Sequence, residues 1–454
     1  MTEDTLADVR EFWHGAVPAD IADRALSCAT EIAHRLSDPD RLLDLIVDSA
    51  DQSEHPMAWQ FPAFAHGHAG VALVHLHAAQ AAATEAEGEA LRQAAFDRVR
   101  EAFTGTRAEP LDSPSLFAGI AGLALVLTDF AAYEARFEPS LERLHAQLAA
   151  KIAEQTPKRV ERAVADSDYD MISGAAGVLA YLCSVPEPSE ELRIAGGRLA
   201  DYLIWLGEPP ADPSLHWRWL VAPEFVPPAA RYRAGYPGGY LNVGLSHGLP
   251  GVVAALAAAW RTGIRRPGHL AALGRMIDWL MGVRTADEDG PMWPADIPVD
   301  AAGACVPVSG HDQLSWCYGT AGVSAALLAA ADALDDDALR ASAVESFEAV
   351  LKRTEHSPIT SPTLCHGMAG VLLICLDFAA RTDSATASEA VPVLLTKLLA
   401  FADPDRPLLF ADEEISENLV DSPALLSGAS GVALTLLTAV AVRRPAWLRA
   451  FLTR

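Results

Sequence analysis

Gly67-His68-Ala69-Gly70-Val71-Ala72-Leu73 decides the fold, because its pattern returns six more times. Each time a Gly-x-x-Gly pair opens a run of apolar residues. The returns are Gly119-Ile120-Ala121-Gly122-Leu123, Gly174-Ala175-Ala176-Gly177-Val178, Gly248-Leu249-Pro250-Gly251-Val252, Gly319-Thr320-Ala321-Gly322-Val323, Gly367-Met368-Ala369-Gly370-Val371 and Gly428-Ala429-Ser430-Gly431-Val432. An amphipathic segment precedes each opening, over 18–37, 89–104, 141–155, 190–205, 269–283, 337–353 and 387–401. In the first of them Ile21, Ala25, Ala29 and Ile32 recur at helical spacing. The first glycines stand 48 to 74 residues apart, an interval typical of helical arrays.

The glycine-opened runs are apolar nearly all round, which predicts buried helices. Their partners carry one polar face and should lie outside. No polar capping repeat stands at either end, as an open solenoid would need. The expectation is therefore an all-α fold: an α/α toroid, a double ring of seven inner and seven outer helices, forming one domain over 1–454. Two intervals are longer. Residues 207–244 contain Pro209, Pro210, Pro213, Pro223, Pro227, Pro228 and Pro237, which exclude a long helix. They predict an accessory lobe or wrapped loop between the third and fourth inner helices. Residues 284–310, also rich in proline and glycine, are expected at the rim of a pocket.

The net charge is -26 with no basic block, which excludes a nucleic-acid partner and is compatible with a cationic one. Met1-Thr2-Glu3-Asp4 is acidic where an export signal needs a basic start, and the apolar runs are too short to span a bilayer. A cytoplasmic protein without a transmembrane segment is expected. Its six cysteines then point to burial or metal binding rather than a disulfide framework. Cys28, Cys183, Cys375 and Cys305 read as small apolar filler.

Cys317 and Cys365 differ, because both stand two residues before the first glycine of an opening, and His366 adjoins Cys365. Two thiolates and an imidazole are a ligand set for catalytic Zn²⁺ with an open fourth position. Such a site binds a substrate thiol and lowers its pKa. Short Cys/His patterns also arise without metal, so the residues alone leave both readings open. His247 precedes the fourth opening, as an acid/base or as a histidine bonded to loop backbone. Asp170 precedes the third, to orient an imidazole or to cap a helix. Tyr318 follows Cys317, to donate at the metal or to pack in the loop. His66, His68, His75 and His77 read as packing or surface histidines, and Asp412-Glu413-Glu414 as a solvated loop.

Trp316-Cys317-Tyr318-Gly319, Cys365-His366-Gly367 and Asn242-Val243-Gly244-Leu245-Ser246-His247-Gly248-Leu249-Pro250-Gly251, with all seven openings, resemble the lanthipeptide cyclase (LanC) family over nearly the whole chain. The resemblance implies an α/α toroid with zinc held by Cys317, Cys365 and His366, surrounded by His247, Asp170 and Tyr318. It implies addition of a peptide cysteine thiolate to dehydroalanine or dehydrobutyrine, closing lanthionine or methyllanthionine rings. The implied partners are a dehydrated precursor peptide, a dehydratase and an export transporter, the last two bringing the protein to the membrane periphery. One position departs: where such cyclases often carry an arginine, four residues before the first zinc cysteine, this chain has Gln313. An uncharged amide does not stabilise an enolate as a guanidinium does; His311 or an arginine from another loop would have to compensate. Two other readings keep the same residues: addition of a small thiol such as glutathione to a dehydroamino acid, or a zinc-stabilised scaffold that binds a peptide without reacting.

Overall fold

The computed structural model describes residues 9–108, 110–161, 164–226, 235–308, 310–414 and 417–452. All seven glycine-opened helices form: His68–Ala81, Ile120–Tyr133, Ala175–Leu182, Leu249–Arg261, Thr320–Leu334, Met368–Arg381 and Ala429–Ala439. Each is apolar round its circumference and buried to match. Every residue from Leu249 to Ala259 is buried, as is every residue from Thr320 to Ala331. The amphipathic segments form the helices Ala19–Arg35, Glu85–Ala108, Glu138–Gln155, Glu190–Leu206, His269–Gly282, Asp337–His356 and Ala385–Leu399. Glu138–Gln155 buries a single stripe, with Leu144, Leu148 and Ile152, whereas Glu190–Leu206 is buried all round from Tyr202 to its end.

The chain divides into two compact units. The first holds residues 1–110 and 357–447. In it the glycine-opened helices His68–Ala81 and Met368–Arg381 flank Ala429–Ala439, and each packs on its amphipathic partner. The helix Ala19–Arg35 lies on Ala429–Ala439, so the start of the chain covers one of its last helices. Trp13 Nε1 donates to Thr438 O at 2.9 Å and fastens that contact.

The second unit holds residues 111–356 and 448–454. Four glycine-opened helices pair there with the amphipathic helix that follows each. Leu249–Arg261 packs between Ala175–Leu182 and Thr320–Leu334, and Ile120–Tyr133 beside Ala175–Leu182. A short antiparallel pair, Tyr240–Asn242 with Asp296–Pro298, places Leu241 opposite Ile297 and Asn242 opposite Asp296. In the 207–244 segment, residues 227–234 lie outside the described residues. The part before them is pinned by Arg218, which donates to Glu161, Glu208 and Trp205 O and lies 5.0 Å over the Trp205 ring.

Some elements depart from the sequence reading. Pro39–Gln52 is an additional helix, started by Asp38, whose side chain accepts from Asp40 N and Arg41 N, with Pro39 in the first turn. Val9–Phe12 and Gly15–Pro18 form a hairpin. Cys305 is exposed and so is not core filler, unlike buried Cys375. No helix among the described residues is long and apolar enough to cross a membrane.

Candidate active site

In the second unit, three successive glycine openings are stitched together by their backbones. Met171 N donates to Ser246 O at 2.9 Å, and Ser246 N donates to Cys317 O at 3.2 Å. The loop before each helix folds back across the helix start, leaving no room for a Cβ. At Gly319 a Cβ would stand 1.8 Å from Gln313 O, and φ is +90°, so this turn requires glycine. Trp316 anchors the loop: it is fully buried, its Nε1 donates to Phe451 O at 2.9 Å, and its ring meets Phe117 and Phe451.

That stitching brings Asp170, His247, Cys317 and Tyr318 to one loop cluster. Asp170 is buried, and its Oδ1 accepts the Ser173 and Gly174 N–H groups at 2.6 and 2.7 Å. Its Oδ2 meets His247 Nδ1 at 2.5 Å. Asp170 thus braces the turn that leads into the helix Ala175–Leu182, without capping the helix itself, and at the same time holds the His247 imidazole. Burial works against a charged His247, but the Asp170 hydrogen bond and charge outweigh it and raise the pKa above 6.5. Burial pushes Asp170 up in turn. The His247 ring lies 6.4 Å from the Tyr318 ring, centre to centre. Burial raises the Tyr318 phenol well above its usual range, so it stays protonated at neutral pH. Cys317 is buried, and its Sγ lies 3.4 Å from Ser315 Oγ.

In the first unit, Cys365 N donates to Leu426 O at 2.9 Å. His366 Nε2 lies 2.9 Å from Asp412 Oδ1, which also accepts Ser361 Oγ at 2.7 Å. Asp412 is therefore buried and hydrogen-bonded, which corrects its reading as a solvated loop residue. It stands 46 residues from His366, and no local pattern in the sequence links the two. Glu414, from the same run, accepts Ser53 Oγ and Glu54 N. His75 and His68 are packing histidines, as expected. His66 lies 2.9 Å from Ser427 Oγ, and burial lowers it to about 4 against the pull of Asp412.

Cys317 belongs to one unit, Cys365 and His366 to the other. Among the described residues no three His, Cys, Asp or Glu side chains stand gathered as a metal-binding group. The donors nonetheless suit zinc. Neither cysteine is in a disulfide, and a metal-ligating imidazole characteristically has its other nitrogen held by a carboxylate, as Asp412 holds His366 Nε2.

Gln313 and His311 are exposed. Arg353 reaches the neighbouring Asp312 Oδ2 at 3.2 Å, but it is buried and directs its remaining donors to Asp287, Gly290 O and Pro291 O. It holds the loop and does not replace an arginine at 313.

The profile of the lanthionine synthetase C-like family matches residues 58–452. The nisin biosynthesis protein NisC of Lactococcus lactis subsp. lactis is 26% identical over 264 residues, 58% of this chain and 61% of that protein. The chain thus spans about three-fifths of that relative's length. A solved structure of nisin cyclase superposes with a TM-score of 0.74 at 20% identity, over 91% of this chain and 97% of that one. This likeness shows the fold class expected from the sequence, the all-α toroid.

Proposed function

The chain belongs to the lanthionine synthetase C-like family, and from that membership we propose that it closes thioether rings in a ribosomal peptide. A cysteine thiol of the peptide adds across the double bond of a dehydroalanine or dehydrobutyrine, giving lanthionine or methyllanthionine. The observation that carries this reading is the loop cluster joining the Asp170–His247 pair to Cys317 and Tyr318.

The addition needs a proton taken from sulfur and one given to carbon. Asp170 holds Nδ1 of His247, leaving Nε2 as the nitrogen that exchanges a proton with substrate. The thiolate forms a C–S bond at the β-carbon as the C=C pair moves toward the α-carbon and its carbonyl. His247, raised above 6.5, returns the proton to the α-carbon, and no atom is lost. Cys317, Cys365 and His366 would hold a zinc ion, with Asp412 behind His366. When bound, zinc supplies acidity to the peptide thiol.

On this reading the substrate is a dehydrated precursor peptide supplied by a dehydratase. An export transporter is the next partner, and the protein works in the cytoplasm at the membrane periphery.

The test is incubation of the purified, zinc-loaded protein with a dehydrated, cysteine-containing peptide. We expect an unchanged mass and the loss of one alkylatable thiol per ring. An intact thiol count with peptide bound would point to a scaffold. A mass increase equal to added glutathione would point to small-thiol addition.

A further inference from the structure

We propose that Asn242 is a positioning residue that fixes Tyr318 as a hydrogen-bond donor to the substrate carbonyl during ring closure. This rests on the cyclase reading and deepens it. Asn242 ends the strand Tyr240–Asn242 and is 2% exposed. Its Oδ1 accepts the Gly244 N–H at 3.0 Å, and its Nδ2 donates to the Tyr318 hydroxyl at 3.3 Å. The first bond orients the second. A backbone N–H only donates, so the amide oxygen must face Gly244 and the NH₂ must face the phenol. The phenol oxygen is then the acceptor, and its own proton has to point elsewhere.

The ring is held as firmly as the hydroxyl. A Cβ at Gly244 would lie 2.6 Å from the ring edge of Tyr318, so the ring rests directly on backbone. Tyr318 N and O both bond to Ser315 Oγ, at 3.1 and 2.8 Å. The other aromatic face in contact is His247, the residue assigned to move the proton. As sulfur adds to the β-carbon, charge builds on the carbonyl oxygen next to the α-carbon. An oriented donor stabilises that charge. With an acceptor at position 242 the phenol would donate into the protein instead, and that stabilisation would be lost.

The test exploits a near-isosteric swap. Asn242→Asp keeps an acceptor for Gly244 N–H but turns the NH₂ into an oxygen, to which the phenol then donates. At pH 8 we expect kcat for cyclisation to fall about 10²-fold, the scale of losing one oriented donor, with KM, zinc content and Tm near wild type. Asn242→Ala removes the donor altogether. It guards against protonation of the carboxyl that Asn242→Asp introduces, and it should slow the reaction likewise. Tyr318→Phe should be slow as well. Adding Asn242→Asp to Tyr318→Phe should cost nothing more, because both changes remove one interaction. Losses that multiply in the double variant would overturn the proposal and leave Asn242 a purely structural role. So would wild-type kcat in both Asn242 variants, or in Tyr318→Phe. A wild-type protein that consumes no thiol from the dehydrated peptide would instead overturn the cyclase reading, and this inference with it.

Discussion

Asp170 and His247 stand 77 residues apart and meet at 2.5 Å, so the chemistry of each depends on the other. Replacing His247 with Asn should leave fold and zinc content intact while slowing cyclisation about 10²–10⁴-fold, the scale of lost acid–base help. Wild-type turnover in His247→Asn would remove it from the mechanism. The pair also sets a pH profile. Because Asp170 raises His247 above 6.5, its neutral form disappears as pH falls through a value above 6.5, and kcat/KM should fall with it. In Asp170→Asn the raising charge is gone and desolvation remains, so this acid limb should move to lower pH. Identical limbs in the two proteins would detach the pair from the rate-determining protonation. At the other cluster, Asp412→Asn should weaken zinc binding about 10- to 100-fold by loosening His366. Competition with a chromophoric chelator measures this without any peptide, and unchanged affinity would separate Asp412 from the metal.

At the scale of elements, the recurring unit is a loop folded back over the first turn of a buried helix. Gly319 is its tightest case, with φ +90° and a would-be Cβ at 1.8 Å from Gln313 O. Gly319→Ala should destabilise by about 3 kcal/mol or more, from strain in a glycine-only region plus displacement of the Cys317 loop. A denaturation midpoint equal to wild type would show that the loop yields. The same loop is tied from behind by Arg353, 3% exposed and shared by Asp287 and Asp312. The Arg353 hydrogen bond, ahead of its charge, lowers Asp287 to about 2. A depressed carboxylate stabilises the fold above its unfolded pKa, near 3.9, and that contribution is lost as pH falls through about 2. Burial pushes Asp312 up to about 6, so its effect has the opposite sign, greatest below about 3.9 and fading as pH rises through 6. Asp287→Asn isolates the first carboxylate. It should cost about 1 kcal/mol at pH 7, a value reduced because Asp287 is partly exposed. The gap from wild type should close between pH 4 and 2 in urea titrations.

At the scale of the molecule, the start of the chain is structural. Val17, Ala25, Ala29 and Ile32 are all buried, and Ala19–Arg35 covers the helix Ala429–Ala439 within its unit. Deleting residues 1–37 should expose that helix and lower the unfolding midpoint sharply, with dye binding to the uncovered apolar face. Unchanged midpoint and dye signal would mean the segment is dispensable. The net charge of -26 predicts no tight, salt-sensitive complex with duplex DNA or RNA at physiological salt, which an electrophoretic titration checks directly.

The periodic part of this protein was legible in its sequence. Helix type follows from local apolar spacing, and a glycine pair before each buried helix records a close backbone approach that leaves no room for a side chain. Those signals are local, so all seven inner and seven outer helices could be placed from them, and Asp38-Pro39 announced a further helix that the repeat pattern obscured. His247, Asp170, Cys317 and Tyr318 could be singled out because each stands beside an opening. Their meeting could not be read from order alone, since it depends on Met171 and Ser246 bonding across three loops. Asp412 and Asn242 show the limit more sharply. A carboxylate in an acidic run looks solvated, and nothing near Asn242 in the sequence points to position 318. Only the tertiary structure buries Asp412 against His366 and aims the Asn242 NH₂ at Tyr318, because hydrogen bonds between distant segments exist only once the chain has packed.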